Sequence, residues 1–139
     1  MTEDTAATTA PPGDRDTADY VQVKMPAESA YLSVLRTAAA GLAARLDFTL
    51  DEIEDLRIAI DEACAMLLAQ AIPGTDSECV FELGLDLVTI TVSVTAAEAR
   101  KPARDTFAWT VLSALAGSVD SRVDTDDRVS IVLAKRRGG

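Results

Sequence analysis

Histidine is absent from this chain of 139 residues. Its absence removes Ser-His-Asp and Cys-His nucleophile systems and every His-ligated metal site. Cysteine occurs twice, as Cys64 and Cys79. One lies in a helical pattern and the other in a strand-like one, with no CxxC spacing. The pair therefore specifies neither a disulfide framework nor a zinc site, and a reducing cytoplasm is the expected compartment. No segment holds the roughly 18 uncharged apolar residues of a membrane helix, and no basic start leads into an apolar run, so neither insertion nor export is expected. Basic residues are scarce: 13 Lys and Arg against 23 Asp and Glu give a formal charge of −10, with a sequence pI near 4.3. A field of that sign repels a phosphate backbone. It argues against direct nucleic-acid binding and leaves proteins, or a ligand held in a pocket, as partners.

What is present suits one domain. Hydrophobic residues make up 48% of the chain, enough for a core that needs no covalent staple. Residues 1–18 mix Thr, Ala, Pro, Asp and Gly without an apolar period and read as a flexible acidic tail ahead of a domain over 19–137. From Tyr20 the chain alternates, with Val21, Val23 and Met25 on one side, and Pro26 ends this half-buried strand. Tyr31, Leu35, Ala38, Leu42 and Leu46 form one stripe of a helix over 28–46. A second helix opens at Thr49, where Thr-Leu-Asp-Glu reads as a capping box with Glu52. Its stripe runs Ile53, Leu56, Ile60, Cys64, Leu67 and Ala71, and Pro73-Gly74 stops it.

Two alternating runs follow, Phe81, Leu83, Leu85 and then Val88, Ile90, Val92, Val94, and they read as a hairpin. The other side of the second run is Thr and Ser, so helices are expected on one face of the sheet alone. After a break over 96–104, Phe107, Val111, Leu112 and Leu115 predict a third helix, with Trp109 and Phe107 as its anchors on the sheet. Two short strands close the chain around a turn at Thr125-Asp126-Asp127, and Lys135 to Gly139 trail off. No internal repeat occurs. The expected fold is a two-layer α/β sandwich with a mixed, largely antiparallel sheet.

The order of elements resembles the Bergerat, or histidine-kinase-like ATPase, fold in a degenerate form. The text is more specific. Pro26-Ala27-Glu28 and the run Leu46-Asp47-Phe48-Thr49-Leu50-Asp51-Glu52-Ile53 through Ile60-Asp61-Glu62-Ala63-Cys64 resemble the anti-sigma factors of the RsbW and SpoIIAB type, most strongly over 20–72. The resemblance implies that Glu62 matches a family Glu acting as general base toward a serine of an antagonist protein. Four residues on, Met66 replaces the family Asn that ligates magnesium on ATP. A thioether is a poor ligand for a cation that demands hard oxygen donors, so that contact is lost. Ala96 replaces the Asp of the family's Asp-x-Gly-x-Gly motif, which reads the adenine. No glycine occurs between Leu85 and Ala116, so the phosphate-covering lid is missing too. Arg100, Lys101 and Arg104 could still meet phosphates as point charges.

The resemblance therefore implies a cytoplasmic, homodimeric anti-sigma factor that sequesters an alternative sigma factor until a STAS-type anti-anti-sigma antagonist displaces it. ATP or GTP is the implied ligand, with magnesium in doubt and no metal site of the protein's own. Arg36, ten residues before Leu46, stands where the family has an arginine contacting both sigma factor and antagonist, although a helix-surface arginine is ordinarily only solvated. The acidic groups Asp51, Glu52, Glu54 and Asp55, and Asp120, Asp124, Asp126 and Asp127, read as surface and turn chemistry that would also steer a basic partner. An active serine protein kinase using ATP is the alternative, and a stand-alone ligand-binding domain is a third reading.

Overall fold

The computed structural model describes residues 19–138, so the expected flexible tail over 1–18 lies outside the described residues. The elements run β1 (Asp19–Pro26), a 3₁₀ turn (Ser29–Tyr31), α1 (Leu32–Arg45), α2 (Leu50–Leu68), β2 (Asp76–Leu83), β3 (Leu87–Thr95), α3 (Phe107–Leu115), β4 (Ser118–Val123) and β5 (Arg128–Arg136). The five strands form one sheet in the order β1-β2-β3-β5-β4. Every neighbouring pair is antiparallel, so the parallel component that a mixed sheet allows does not occur among the described strands. The helices cover one face, as the Thr and Ser of β3 implied.

Helix α1 starts later than expected, and its buried positions are Leu35, Ala39 and Ala43. The expected stripe shares Leu35 but placed Ala38 and Leu42 where the neighbouring Ala39 and Ala43 are buried. The two alanines instead let α1 lie close against α2, while Ala38, Leu42 and Leu46 pack at the margin and Tyr31 is 40% exposed. The helix ends in a Schellman arrangement: the N–H of Asp47 donates to Ala44 O at 3.0 Å and that of Phe48 to Ala43 O at 3.1 Å. Asp47 takes φ 63°, where glycine is usual, and Phe48 turns into the core.

Helix α2 begins on the capping box read from the sequence. Glu52 N–H donates to Thr49 Oγ1 at 3.2 Å and Thr49 N–H to Glu52 Oε1 at 2.7 Å. Leu56, Ile60, Cys64 and Leu67, joined by Ala59 and Ala63, are buried on its inner face. They meet Cys79, Phe81, Val88, Ile90, Val92, Val94, Val129, Ile131 and Leu133 from the sheet.

Three expectations fail. Leu85 is 94% exposed, because it stands in the turn between β2 and β3 rather than in the alternation. Phe107 is 83% exposed: as the first residue of α3 it precedes the buried stripe, which is Trp109 and Leu112. Lys135 does not trail off. It continues the inward alternation of β5 and is buried, with Nζ donating to Leu115 O at the end of α3 at 3.1 Å and lying 4.0 Å from Asp55 Oδ2.

Candidate functional site

Helix α2 carries the candidate residues on two flanks. Asp61 faces α1, where its Oδ1 accepts from Arg36 Nη1 at 2.7 Å. Arg36 is therefore paired, and both side chains stay about one-third to two-fifths exposed (32% and 41%). Glu62, the next residue, is turned about 100° around the helix. It lies two turns after Asp55, on the same flank of α2. Met66, one turn further, shares that flank. It packs against the core, so its thioether is filling space beside Glu62, which is half-buried.

Ala96 follows β3 directly and is 1% exposed. Its methyl joins the core, its N–H donates to Asp127 O at 2.9 Å, and it bridges to Ala71 beyond the end of α2. Beside it, Ile72 N–H donates to Thr95 O at 2.9 Å. The Gln70 side chain then holds Arg100 at two points, donating to its carbonyl at 2.8 Å and accepting from its N–H at 3.0 Å. This side-chain amide imitates one rung of a β-ladder. The break after β3 is thereby a strap fastened to the turn that follows α2.

Arg104 is also committed. Its Nη2 lies 2.9 Å from Asp120 Oδ1, and its guanidinium sits 4.9 Å from the Trp109 ring centroid, a cation–π contact. Arg104, one of the three basic residues that could meet phosphates, is thus paired in the free chain, through an exposed contact. The Asp120 carboxyl is held below its ordinary value, first by the Ser121 N–H and then by Arg104.

At the two positions that the resemblance matches to a metal-binding Asn and an adenine-reading Asp, the structure has a core-packed thioether, Met66, and a buried methyl, Ala96, whose backbone N–H is already used; neither side chain offers an oxygen to a magnesium nucleotide. Among the described residues no cluster of His, Cys, Asp or Glu could hold a metal ion. The cavity between α2 and the sheet, lined by Met25, Cys64, Leu67, Val92 and Val94 among others, has a volume of about 10 Å³, room for roughly one water. Burial pushes the Cys64 thiol up to about 12, with Asp61 adding to the rise and Arg36 opposing it. Cys79 is raised as well, chiefly by burial, and both thiols are free. Neither is an activated nucleophile.

Asp61, Gln70 and Lys135 were not singled out from the sequence. The alternation of β5 pointed Lys135 inward, a signal that its charge masked. Pairs 25 and 30 residues apart, such as Arg36 with Asp61 and Gln70 with Arg100, leave no local periodicity.

No family model matches the chain. It is similar over part of its length to proteins named serine-protein kinase RsbW. The one from Bacillus subtilis is 42% identical over 57 residues, 41% of this chain and 36% of the relative. That from Bacillus pumilus is 38% identical over 63 residues, 45% of this chain and 39% of the relative. That from Bacillus thuringiensis is 37% identical over 67 residues, 48% and 42% of the two chains. The match thus spans about two fifths of the length of these curated relatives. Among solved structures, the RsbU and RsbW domains of Rv1364c from Mycobacterium tuberculosis superpose with a TM-score of 0.62 at 13% identity, over 85% of this chain and 32% of that one. The fold is that of an RsbW, histidine-kinase-like domain. Among the described residues no helix is long and apolar enough to cross a membrane.

Proposed function

We propose that the chain is an anti-sigma factor that sequesters an alternative sigma factor by occupying its surface and is released by an anti-anti-sigma antagonist through partner switching. The observation that carries this reading is Ala96. The chain has an RsbW-type fold, yet the position that would read adenine is a buried methyl with its N–H given to Asp127. Together with Met66 it supports inhibition by binding rather than by phosphoryl transfer. ATP or GTP enters this reading only as a ligand without its magnesium contact.

Arg36 is the proposed contact for both partners. In the free chain its guanidinium is held by Asp61. An exposed ion pair of this kind is worth about 0 to 1 kcal/mol, so a partner carboxylate can replace it at little cost, and the planar fork suits such an exchange. The excess of acidic groups favours approach of a basic partner. A homodimer belongs to the same reading; direct contact with nucleic acid or a membrane does not.

Transcription by polymerase reconstituted with the alternative sigma factor tests the reading. It should fall to background at stoichiometric chain, and Arg36→Ala should raise the required concentration at least tenfold. Full transcription at saturating chain contradicts it. The rival, a serine kinase acting on the antagonist, is favoured by the name the relatives carry and by the carboxylate at Glu62. It requires transfer of labelled phosphate that Glu62→Ala abolishes.

A further inference from the structure

Strand β1 is one edge of the sheet, and among the described residues no strand pairs with its outer side. Its eight residues pair with β2 in unbroken register, from Asp19 with Leu83 to Pro26 with Asp76, without the bulge that often blunts an edge. Every second residue therefore points its N–H and C=O outward in a regular row. The usual guards of an edge, a lysine and a proline, come late, at Lys24 and Pro26, so residues 19–23 are left open. The opposite edge, β4, is six residues long and carries charge at Asp120 and Arg122.

Helix α1 gives the β1 edge an apolar wall. It packs over β2, and Arg36 on one flank reaches α2 through Asp61. Val34, Ala38 and Leu42 lie about 120° to 160° around the helix from Arg36, on the flank turned away from α2 and toward β1. Val21 and Val23 share the helix side of the sheet with their buried partners Phe81 and Cys79, and so face that flank. Val21, Val34 and, at the start of α1, Tyr31 are large apolar side chains left exposed, while Val23, Ala38 and Leu42 pack partly against the core. The helix runs back along the strand: Arg137 bonds both Leu46 O just beyond α1 and Asp86 O in the turn after Leu83, the partner of Asp19. Val34 to Leu42 spans about 12 Å and residues 19–23 about 13 Å. A free strand edge beside an apolar helix flank of equal length suits an extended peptide, with its main chain on the edge and alternate side chains in the groove.

Charge names the occupant. The ends of the groove carry exposed acids, Asp19 at one and Glu28 at the other, and Lys24 is matched by Asp76 at 4.0 Å. Arg45, the base on this flank of α1, is followed by the exposed Asp47. In a chain of formal charge −10, such a groove repels an acidic strand and attracts a basic one.

We propose that the β1 edge and the outer flank of α1 dock an extended basic segment of a partner protein, added to the sheet as a further strand with apolar residues at alternate positions. This surface lies on the flank opposite Arg36, so it stands or falls independently of the contact proposed there. The probe is an end-blocked heptapeptide, Lys-Val-Thr-Val-Lys-Ile-Lys, titrated into the full chain by calorimetry, with hydrogen exchange along β1 read by NMR. Binding at a dissociation constant of roughly 10 to 100 micromolar is expected, with slowed exchange of the outward amides of β1. The same peptide with Glu for each Lys should bind at least tenfold more weakly. So should the basic peptide to Val34→Asp and to Val21→Lys, both at exposed positions and both checked for folding by circular dichroism. No binding at about 1 millimolar peptide overturns the proposal. Equal binding of the acidic peptide overturns the basic occupant, and binding that folded Val34→Asp and Val21→Lys leave unchanged overturns the site. Outward amides of β1 already protected in the free chain would show the edge covered by the chain's own residues or by a second copy, and would overturn the partner.

Discussion

The N–H of Gly138 donates to Glu52 Oε2 at 2.6 Å, while Glu52 Oε1 accepts from the Thr49 N–H at 2.7 Å. One carboxylate thus closes the first turn of α2 and ties down the chain beyond β5. Arg137 reinforces the tie, with its Nη1 donating to Leu46 O at 2.7 Å and its N–H to Asp86 O at 2.6 Å.

The Thr49 and Gly138 bonds, in that order, hold the Glu52 carboxyl below its ordinary value of 4.5. A lowered carboxylate stabilises the fold above the unfolded value and loses that stabilisation as pH falls through the folded one. Thermal midpoints measured from pH 7 to 3 should therefore drop more steeply below about 4.5 for the wild type than for Glu52→Gln. Parallel curves would contradict the tie. At the other end of the box, Thr49→Ala should cost about 1 kcal/mol.

Asp47 pays no such dividend at its own position, since a side chain at φ 63° is disfavoured relative to glycine. Asp47→Gly should leave the Schellman bonds intact and stabilise the chain by up to about 1 kcal/mol in urea titrations. A loss of stability would show that the Asp47 side chain contributes more than its backbone strain costs.

Much of the fold was legible because local chemistry and tertiary packing agree. The capping box at Thr49 and Glu52, the stripe of α2 and the inward Val88, Ile90, Val92 and Val94 all follow from spacing alone. The reading slipped where size or charge was taken as a proxy for position. In α1 the small Ala39 and Ala43 are buried because the helices approach closely. Phe107 is exposed because it opens a helix, and Lys135 is buried because a carbonyl at the end of α3 receives it. Of the candidate site, the residue types at Ala96 and Met66 were legible, and the structure adds that both side chains are turned to the core. The fastening of the strap by Gln70 was not legible, since it depends on a contact between residues 30 positions apart.

Lys135 separates packing from charge. Lys135→Ala removes the buried stem and leaves the Leu115 carbonyl without its donor, and should cost about 2 to 4 kcal/mol. Lys135→Met keeps the volume and should cost less than half as much, since Asp55 is partly solvated, at 43% exposure. Equal losses in chemical denaturation would show that the charge, not the packing, is what matters.

The raised Cys64 thiol gives an alkaline signature. A thiol whose folded value lies above its ordinary 9.0, at about 12, stabilises the fold below the unfolded value and loses that stabilisation as pH rises toward the folded one. Stability should decline from about pH 9 upward, less so in Cys64→Ala once its own packing loss is subtracted. Thiol labelling of the native chain at pH 8 should proceed only at the rate of opening. Immediate labelling of both cysteines would contradict their burial.

The central claim is that occupancy, not chemistry, is the mode of action. Calorimetric titration of the alternative sigma factor with the full chain, with and without ATP and magnesium, tests it most directly. The account predicts the same dissociation constant in both, with no ATP consumed. Binding that appears only with the magnesium nucleotide would contradict it.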